Sequence, residues 1–229
     1  MVYPLVVSEM QAMLRVLVLI VLIFRTEICV AKAVPELRRA FEAIETQDWT
    51  DALDIAKSNG PLAEDLVLWH YLRQGKGSFQ QTARFVHQHP DWPGLKLLRK
   101  QSEPAFARAN PADVAAFFEV VPPQTGTGAL IYAKALTSLK RDQSARKVVV
   151  TAWRTLRLSA NEELSFMARH KKLLRPHHNA RLDWTLWQGW RGNAKSMLAY
   201  VSKDAQNLGK ARLGLMTNAR GVDGLIATI

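Results

Sequence analysis

The sequence predicts an all-α protein, an α-superhelix or solenoid built from short antiparallel helix pairs of the tetratricopeptide kind. Apolar residues recur at helical spacing in short segments joined by turns, and no alternating strand pattern lasts beyond a few residues. The run of β-branched residues Val148-Val149-Val150 lies within a helical stripe. No heptad runs along the whole sequence and no strict repeat has a fixed period, so we expect loosely similar helical hairpins.

Start and stop signals divide the first half of the chain into helices. Leu37, Phe41 and Ile44 recur at helical spacing over 34–46, and Trp49 opens the next stripe. The signals that separate the segments are, in chain order, Pro35, Asn59-Gly60-Pro61, Gly75-Lys76-Gly77, the expected N-cap Ser78, Pro90, Pro93 and Asn110-Pro111. The last pair predicts a helix over 111–119.

Pro122-Pro123 then interrupts the chain, and a helix is expected over 126–139. The following segment has the clearest amphipathic face, formed by Ala145, Val149, Ala152, Trp153 and Leu156. Ser159 or Asn161 is expected to cap the next helix. Pro176 is expected to begin a helix that runs through Trp187, and two or three further helices follow from Asn193.

The first 33 residues have the features of a signal peptide. Arg15 precedes nine uninterrupted apolar residues, whereas a membrane-spanning helix needs about 20. Residues 29–33 end in a small-x-small pattern, so we expect export and cleavage after Ala33, with an uncleaved membrane anchor as the alternative. The true start could be Met1, Met10 or Met13. The mature part, 34–229, is expected to be one scaffold domain whose apolar, uncapped end at 224–229 indicates an incomplete superhelix.

Composition narrows the function classes. The chain has 229 residues and a formal net charge of +11. Its hydrophobic fraction of 48% excludes a disordered chain. Its single cysteine, Cys29, excludes a disulfide framework and a cysteine-based metal cluster. The basic surplus suits an acidic polymer or membrane headgroups, and binding to nucleic acid would conflict with export. That surplus is spread over Arg38, Arg39, Arg99, Lys100, Arg146, Lys147, Lys171, Lys172 and Arg175.

The sequence predicts no catalytic residue, no cofactor site and no metal site. The six histidines His70, His87, His89, His170, His177 and His178 show no metal-binding spacing. The carboxylate pair Glu162-Glu163 follows Ser159 and is interpreted as charge at a helix start rather than as a pair for glycan cleavage. Asp91-Trp92, between two prolines, is interpreted as a turn.

The seven tryptophans raise a carbohydrate-stacking hypothesis. Trp184, Trp187 and Trp190 would share one side of a helix if that helix continued through all three. Packing in the core between helices is the alternative and the expected role.

Four ordered stretches of the chain resemble the N-terminal superhelical region of soluble lytic murein transglycosylases, over nearly all of 34–229. They are 85–95 (Phe-Val-His-Gln-His-Pro-Asp-Trp-Pro-Gly-Leu), 122–126 (Pro-Pro-Gln-Thr-Gly), 153–166 (Trp-Arg through Leu158, then Glu-Glu-Leu-Ser-Phe) and 178–187 (His-Asn-Ala-Arg-Leu-Asp-Trp-Thr-Leu-Trp).

The resemblance implies an exported periplasmic protein that handles peptidoglycan. In that family, a separate lysozyme-like domain carries the catalytic glutamate and forms a 1,6-anhydro product. Its Glu-Ser and Gly-Leu-Met-Gln signature is missing from this sequence, so no catalytic residue carries over. We expect a non-catalytic scaffold, inactive alone, that binds peptidoglycan glycan strands through a basic concave surface and meets the membrane only through its signal segment. A tetratricopeptide-like adaptor for a periplasmic protein partner and a membrane-anchored structural protein remain as alternatives.

Overall fold

A computed structural model describes residues 35–229, and this part of the chain is helical with no β-strand. The predicted all-α class is therefore confirmed. The chain divides into two compact units, with the boundary between Tyr71 and Leu72. The expected signal peptide lies outside the described residues. None of the helices within 35–229 has the length and hydropathy that a membrane span requires.

The first unit contains α1 (35–45), α2 (Trp49–Ser58) and most of α3 (Pro61–Arg73). Its core consists of small side chains, Ala40, Ala43, Ala52, Ala56 and Val67. Asp48 caps α2 by accepting a hydrogen bond from the backbone N–H of Asp51, and the helix ends before the turn at 59–61, as predicted.

The second unit contains the remaining helices. They are α4 (Phe79–Gln88), α5 (Leu95–Ser102), α6 (Pro111–Val120), α7 (Gly126–Ser138), α8 (Asp142–Thr155), α9 (Ala160–Leu174), α10 (His178–Trp187), α11 (Arg191–Met197), α12 (Lys203–Met216) and α13 (Val222–Ile226). Three short 3-10 helices connect them, at Glu103–Arg108, Arg175–His177 and Leu198–Tyr200.

Predicted helix caps are confirmed at three starts. Ser78 and Ser159 each accept a hydrogen bond from the backbone N–H of the third helical residue, Gln81 or Glu162, whose side chain reaches back to the cap. Asn110 accepts from the N–H of residue 112. These bonds satisfy backbone donors that a helix leaves unpaired at its start, and they fix where α4, α6 and α9 begin.

The predicted face of α8 lies in the core of the second unit. Ala145, Val149, Ala152 and Trp153 are buried there, and Leu156 is partly buried. Consecutive helices pack on one another from α6 to α9, α10 packs on α11, and α12 packs on α13. In addition, α8 contacts α10, and α10 contacts α12. The helices α8, α10 and α12 therefore contact one another in turn.

One predicted helix start is wrong. The sequence suggested that a helix begins at Pro176, but Pro176 lies inside the 3-10 turn Arg175–His177, and α10 begins at His178. Proline fits a tight turn as well as it fits the first turn of an α-helix, because both accept its fixed φ and neither needs its missing N–H.

Candidate functional site

The helix starts of the second unit are held together by glutamates, which we call the carboxylate network: Glu103, Glu162 and Glu163. Glu103 is 2% exposed. Its carboxylate accepts hydrogen bonds from the backbone N–H groups of Gln124, at 2.6 Å, and Thr125, at 2.9 Å, and from the Thr125 hydroxyl. Burial raises the pKa of Glu103, and the hydrogen bonds from Thr125 and Gln124 oppose that rise.

Glu162 joins two helix starts. Its Oε1 accepts from the N–H of Thr127, at 2.7 Å, in the first turn of α7, and its Oε2 accepts from the N–H of Ser159, at 2.9 Å, at the cap of α9. Although burial raises the pKa of Glu162, hydrogen bonds from Ser159 and Thr127 outweigh that effect and leave it lowered. The expectation that Glu162 serves at the start of a helix is confirmed, and the same carboxylate serves a second helix as well.

Glu163 binds a buried arginine. Its Oε1 accepts from Nη2 of Arg181, at 2.6 Å, and from the side-chain amide of Asn193, at 2.8 Å, and its Oε2 accepts from Ser196, at 2.7 Å. Arg181 is 0% exposed, and its Nη1 also donates to the backbone carbonyls of Trp153 and Leu156. Burial lowers the pKa of Arg181, and the bond to Glu163 opposes that shift. The pair therefore joins α8, α9, α10 and α11.

Aromatic rings surround this arginine. Its guanidinium lies 4.4 Å from the centre of the Trp153 ring, which stacks on Phe166. The ring of His178, 5% exposed, meets Trp153 edge-on at 5.7 Å and lies 5.7 Å from Tyr200. Burial, followed by the neighbouring positive groups, lowers the pKa of His178, so its imidazole is neutral at pH 7.

Three of the four stretches that carry the family resemblance meet in these contacts. Residues 122–126 supply the two backbone N–H groups that donate to Glu103. Residues 153–166 supply Trp153, Glu162 and Glu163, and residues 178–187 supply His178 and Arg181. The remaining stretch, 85–95, forms a turn in which Phe85, His89 and Trp92 pack ring against ring at 4.6 to 5.2 Å. The predicted turn at 91–92 is confirmed.

A groove of about 1010 Å³ opens between α7, α8 and α9, and we call it the basic groove. Its positive or titratable side chains are Lys134, Arg146, Arg169, His170, Lys171 and Lys172, and its acidic one is Asp142. Its apolar lining consists of Leu130, Ala133, Ala145, Val149, Ala168 and Leu173. Burial lowers the pKa of His170, and the neighbouring charge of Arg169 adds to the effect.

The predicted basic residues have different surroundings. Arg146, Lys171 and Lys172 line the basic groove, whereas Lys100 lines a separate cleft of about 660 Å³ beside residues 124–125. Arg38 and Arg39 each pair with a glutamate on their own helix, α1. Arg99 donates to the backbone carbonyl of residue 95, Lys147 lies beside Arg146 on α8, and Arg175 is exposed.

The three tryptophans do not share a helix face. Helix α10 ends at Trp187, Gly189 has φ +71°, and Trp190 precedes α11. Trp187 is 76% exposed, so the expected core role is wrong for this residue. Trp184 donates its indole N–H to the carbonyl of Thr155, at 3.1 Å. The left-handed glycine turns the chain away before the helix can bring the third ring into line.

No group of three or more histidine, cysteine or carboxylate side chains within residues 35–229 has the geometry of a metal site. Three of the six histidines lie in aromatic contacts: His70 beside Phe41, His89 beside Trp92 and His178 beside Trp153.

Comparisons of the chain with protein-family models, with curated proteins and with solved structures return no match.

Sequence reasoning missed four residues of these sites: Glu103, Arg181, Lys134 and Arg169. Each is an ordinary charged residue in a helical stretch. Glu103 is hydrogen-bonded to a segment 21 residues away, and Arg181 to a carboxylate 18 residues away. A local pattern carries no information about such partners. The one available signal was the register of Arg181, which shares the buried face of α10 with Leu182 and Thr185.

Proposed function

We propose that this chain is the non-catalytic helical scaffold of an exported protein that binds peptidoglycan, organised like the superhelical region of soluble lytic murein transglycosylases. The observation that carries this proposal is the joining of residues 153–166 to residues 178–187 by Arg181, which bonds to Glu163 and to the carbonyl of Trp153. Thr127, directly after the stretch 122–126, donates to Glu162 in the same network. Contacts of this kind between separate stretches are consistent with a shared structural motif.

The stacking of alternate helices supports a tetratricopeptide-like superhelix. In such arrays each helical hairpin packs on the next, so a helix contacts both its neighbour in sequence and the second helix along. The contacts from α8 to α10 and from α10 to α12 have this form.

The roles of the glutamates support a scaffold rather than an enzyme. A general acid for glycan cleavage needs an accessible proton close to the glycosidic oxygen. Glu103 has the raised pKa that such an acid would have, but both of its oxygens accept hydrogen bonds from Gln124 and Thr125. The nearby cleft is lined by Gln124 and Thr125 together with Glu162 and Glu163, whose oxygens are also engaged.

The test is co-sedimentation of the purified chain with isolated sacculi at physiological salt, followed by chromatography of the soluble products. We expect the chain to sediment with the sacculi and to release no anhydromuropeptides. A catalytically competent lytic transglycosylase, assayed in parallel, shows that the products would be detected. The heat-denatured chain is the control for non-specific adhesion.

Two results would contradict the proposal. Release of anhydro products by the chain alone would make it an enzyme. Failure to sediment with sacculi, together with stoichiometric capture of one periplasmic protein, would favour the adaptor function. Exposed apolar side chains such as Leu62, Val120 and Leu164 give that second function some physical support, because docking surfaces for proteins contain such groups.

A further inference from the structure

The basic groove is built around a break in α9. His170 has φ −130° and ψ 19°, outside the helical range, although residues on both sides of it are helical. Six consecutive residues, 168–173, line the groove. In a regular helix successive side chains are about 100° apart, so six in a row would point in every direction around the axis. Because the helix is broken at His170, the positive side chains of this segment can face one groove. In an unbroken helix they would point to different sides of the axis.

The positive side chains of the groove are available to a ligand. Within residues 35–229, no carboxylate forms an ion pair with Lys134, Arg146, Arg169, Lys171 or Lys172. All five side chains are exposed. The single acidic residue of the lining, Asp142, leaves a strong excess of positive charge. Such an excess between low-dielectric walls attracts anions.

Alanine makes up half of the apolar side chains that line the groove. Ala133, Ala145 and Ala168 lie beside Leu130 and Val149. A ligand that matches this lining alternates negative groups with small apolar ones. A nucleic acid does not fit it as well, since single-stranded binding sites use aromatic rings as stacking platforms, and the groove has no aromatic side chain besides the imidazole of His170.

We infer that the basic groove binds a short acidic peptide, with its carboxylates on the lysines and arginines and its small apolar side chains on the alanines of the lining. This inference rests on the proposed function, because the stem peptides of peptidoglycan combine carboxylates with alanine methyl groups. The scaffold would then hold peptidoglycan by its stem peptides, and the basic groove would be the surface that binds them.

Binding of a fluorescein-labelled octapeptide of alternating glutamate and alanine, measured by anisotropy with the full chain at low salt, tests the site. We expect saturable binding that weakens steeply as salt is added. The triple variant Lys134→Gln, Arg146→Gln, Lys171→Gln should bind about tenfold more weakly, since each exposed charge contact contributes modestly. The matched control is Lys195→Gln, Lys203→Gln, Lys210→Gln, which removes the same charge outside the groove and should bind like the parent. Far-UV circular dichroism verifies the fold of both variants.

Equal loss in both triple variants would show that net charge alone attracts the peptide and would overturn the site. Tighter binding of polyphosphate or single-stranded DNA than of the peptide would overturn its ligand class. The sacculus assay separates this inference from the proposed function. If the groove variant still sediments with sacculi while the peptide fails to bind the parent, the site is wrong and the scaffold function survives. If the parent fails in both assays, both proposals are wrong.

Discussion

Arg181 is a buried cation whose charge is balanced by one carboxylate and two backbone oxygens. It is fully enclosed, with Glu163, two carbonyls and the face of Trp153 around it. Removing one partner from a buried pair is costly, because the other charge stays behind without compensation. Loss of Arg181 alone should therefore destabilise the second unit strongly.

Replacing Arg181 by methionine should lower the free energy of unfolding by about 3–5 kcal/mol. The substitution leaves Glu163 without its cation and leaves the carbonyls of Trp153 and Leu156 without their donor. Urea unfolding followed by circular dichroism measures the change.

The control for this prediction is Arg212→Met, which breaks the pair between Arg212 and the exposed Asp183. A surface pair contributes up to about 1 kcal/mol, so this variant should remain close to the parent. Adding Glu163→Gln to Arg181→Met should restore part of the stability, because no unpaired charge then remains. A double variant as unstable as the single one would show that packing, rather than charge, accounts for the loss.

At this scale, residues whose role is local were predictable. Ser78, Asn110 and Ser159 are caps because their side chains bond to backbone a few residues ahead, and sequence spacing reveals that. The assignment of Glu162 to a helix start was correct for the same reason. The bond between Glu162 and Thr127, 35 residues apart, could not be predicted from the local sequence. The same holds for the ion pair between Glu163 and Arg181.

Among the elements, α7 has a start that leaves no room for a side chain at its third residue. A Cβ added at Gly128 would lie 2.2 Å from Oε2 of Glu103. That carboxylate is buried and bound to Gln124 and Thr125, so it cannot move aside without losing those bonds. The glycine is required here by close approach rather than by backbone conformation.

Gly128→Ala should therefore destabilise the protein by about 1–3 kcal/mol, through displacement of the Glu103 carboxylate from the segment before α7. Thermal unfolding followed at 222 nm measures the effect.

The matched control is Gly192→Ala in α11, where an added Cβ meets nothing within 4 Å. Alanine favours helix over glycine, so this variant should be as stable as the parent or more so. Comparable losses in the two variants would contradict the explanation given for Gly128.

Helix boundaries were the weaker part of the element predictions. The period of apolar residues identified α8 and its buried face, since a regular repeat is a property of the element itself. The predicted end of α10 at Trp187 is confirmed, and the helix does not continue to Trp190 because Gly189 adopts a left-handed conformation. The predicted start at Pro176 was wrong, since the periodicity does not distinguish a 3-10 turn from the first turn of an α-helix. The break at His170 escaped notice for the same reason.

For the whole molecule, stability should decline as the pH falls from 7 toward 5. The pKa of His178 is lowered in the folded state from its ordinary value of 6.5, so the unfolded chain takes up this proton more readily. Its contribution to stability is complete above that value and is lost as the pH falls toward the folded pKa. His170 acts in the same direction, and the raised pKa of Glu103 opposes both above its ordinary value of 4.5.

The measurement is the slope of unfolding free energy against pH, for the parent and for His178→Phe. We expect a shallower slope in the variant, because phenylalanine keeps the ring contacts with Trp153 and Tyr200 but binds no proton. His170→Gln, at a half-buried position, is the comparison, and it should retain the part of the slope that His178 causes. An unchanged slope in His178→Phe would refute the assignment, whatever its absolute stability.

The all-helical class was predictable because apolar residues recur at helical spacing along the whole mature chain. Single residues that depart from this spacing do not change the class. The division into two units was not, since the boundary falls inside α3 and no proline, glycine or polar linker marks it. The basic groove was predictable only in part: Arg146, Lys171 and Lys172 stood out as adjacent pairs in the sequence. Lys134 and Arg169 joined them through the packing of α7 against α8 and α9.

The bonds of the carboxylate network close three loops of the chain: 21 residues from Glu103 to Gln124, 35 from Thr127 to Glu162 and 18 from Glu163 to Arg181. The entropy cost of closing a flexible loop rises by only about 0.6 kcal/mol for each doubling of its length. The three closures therefore differ little in the chain entropy that each must offset.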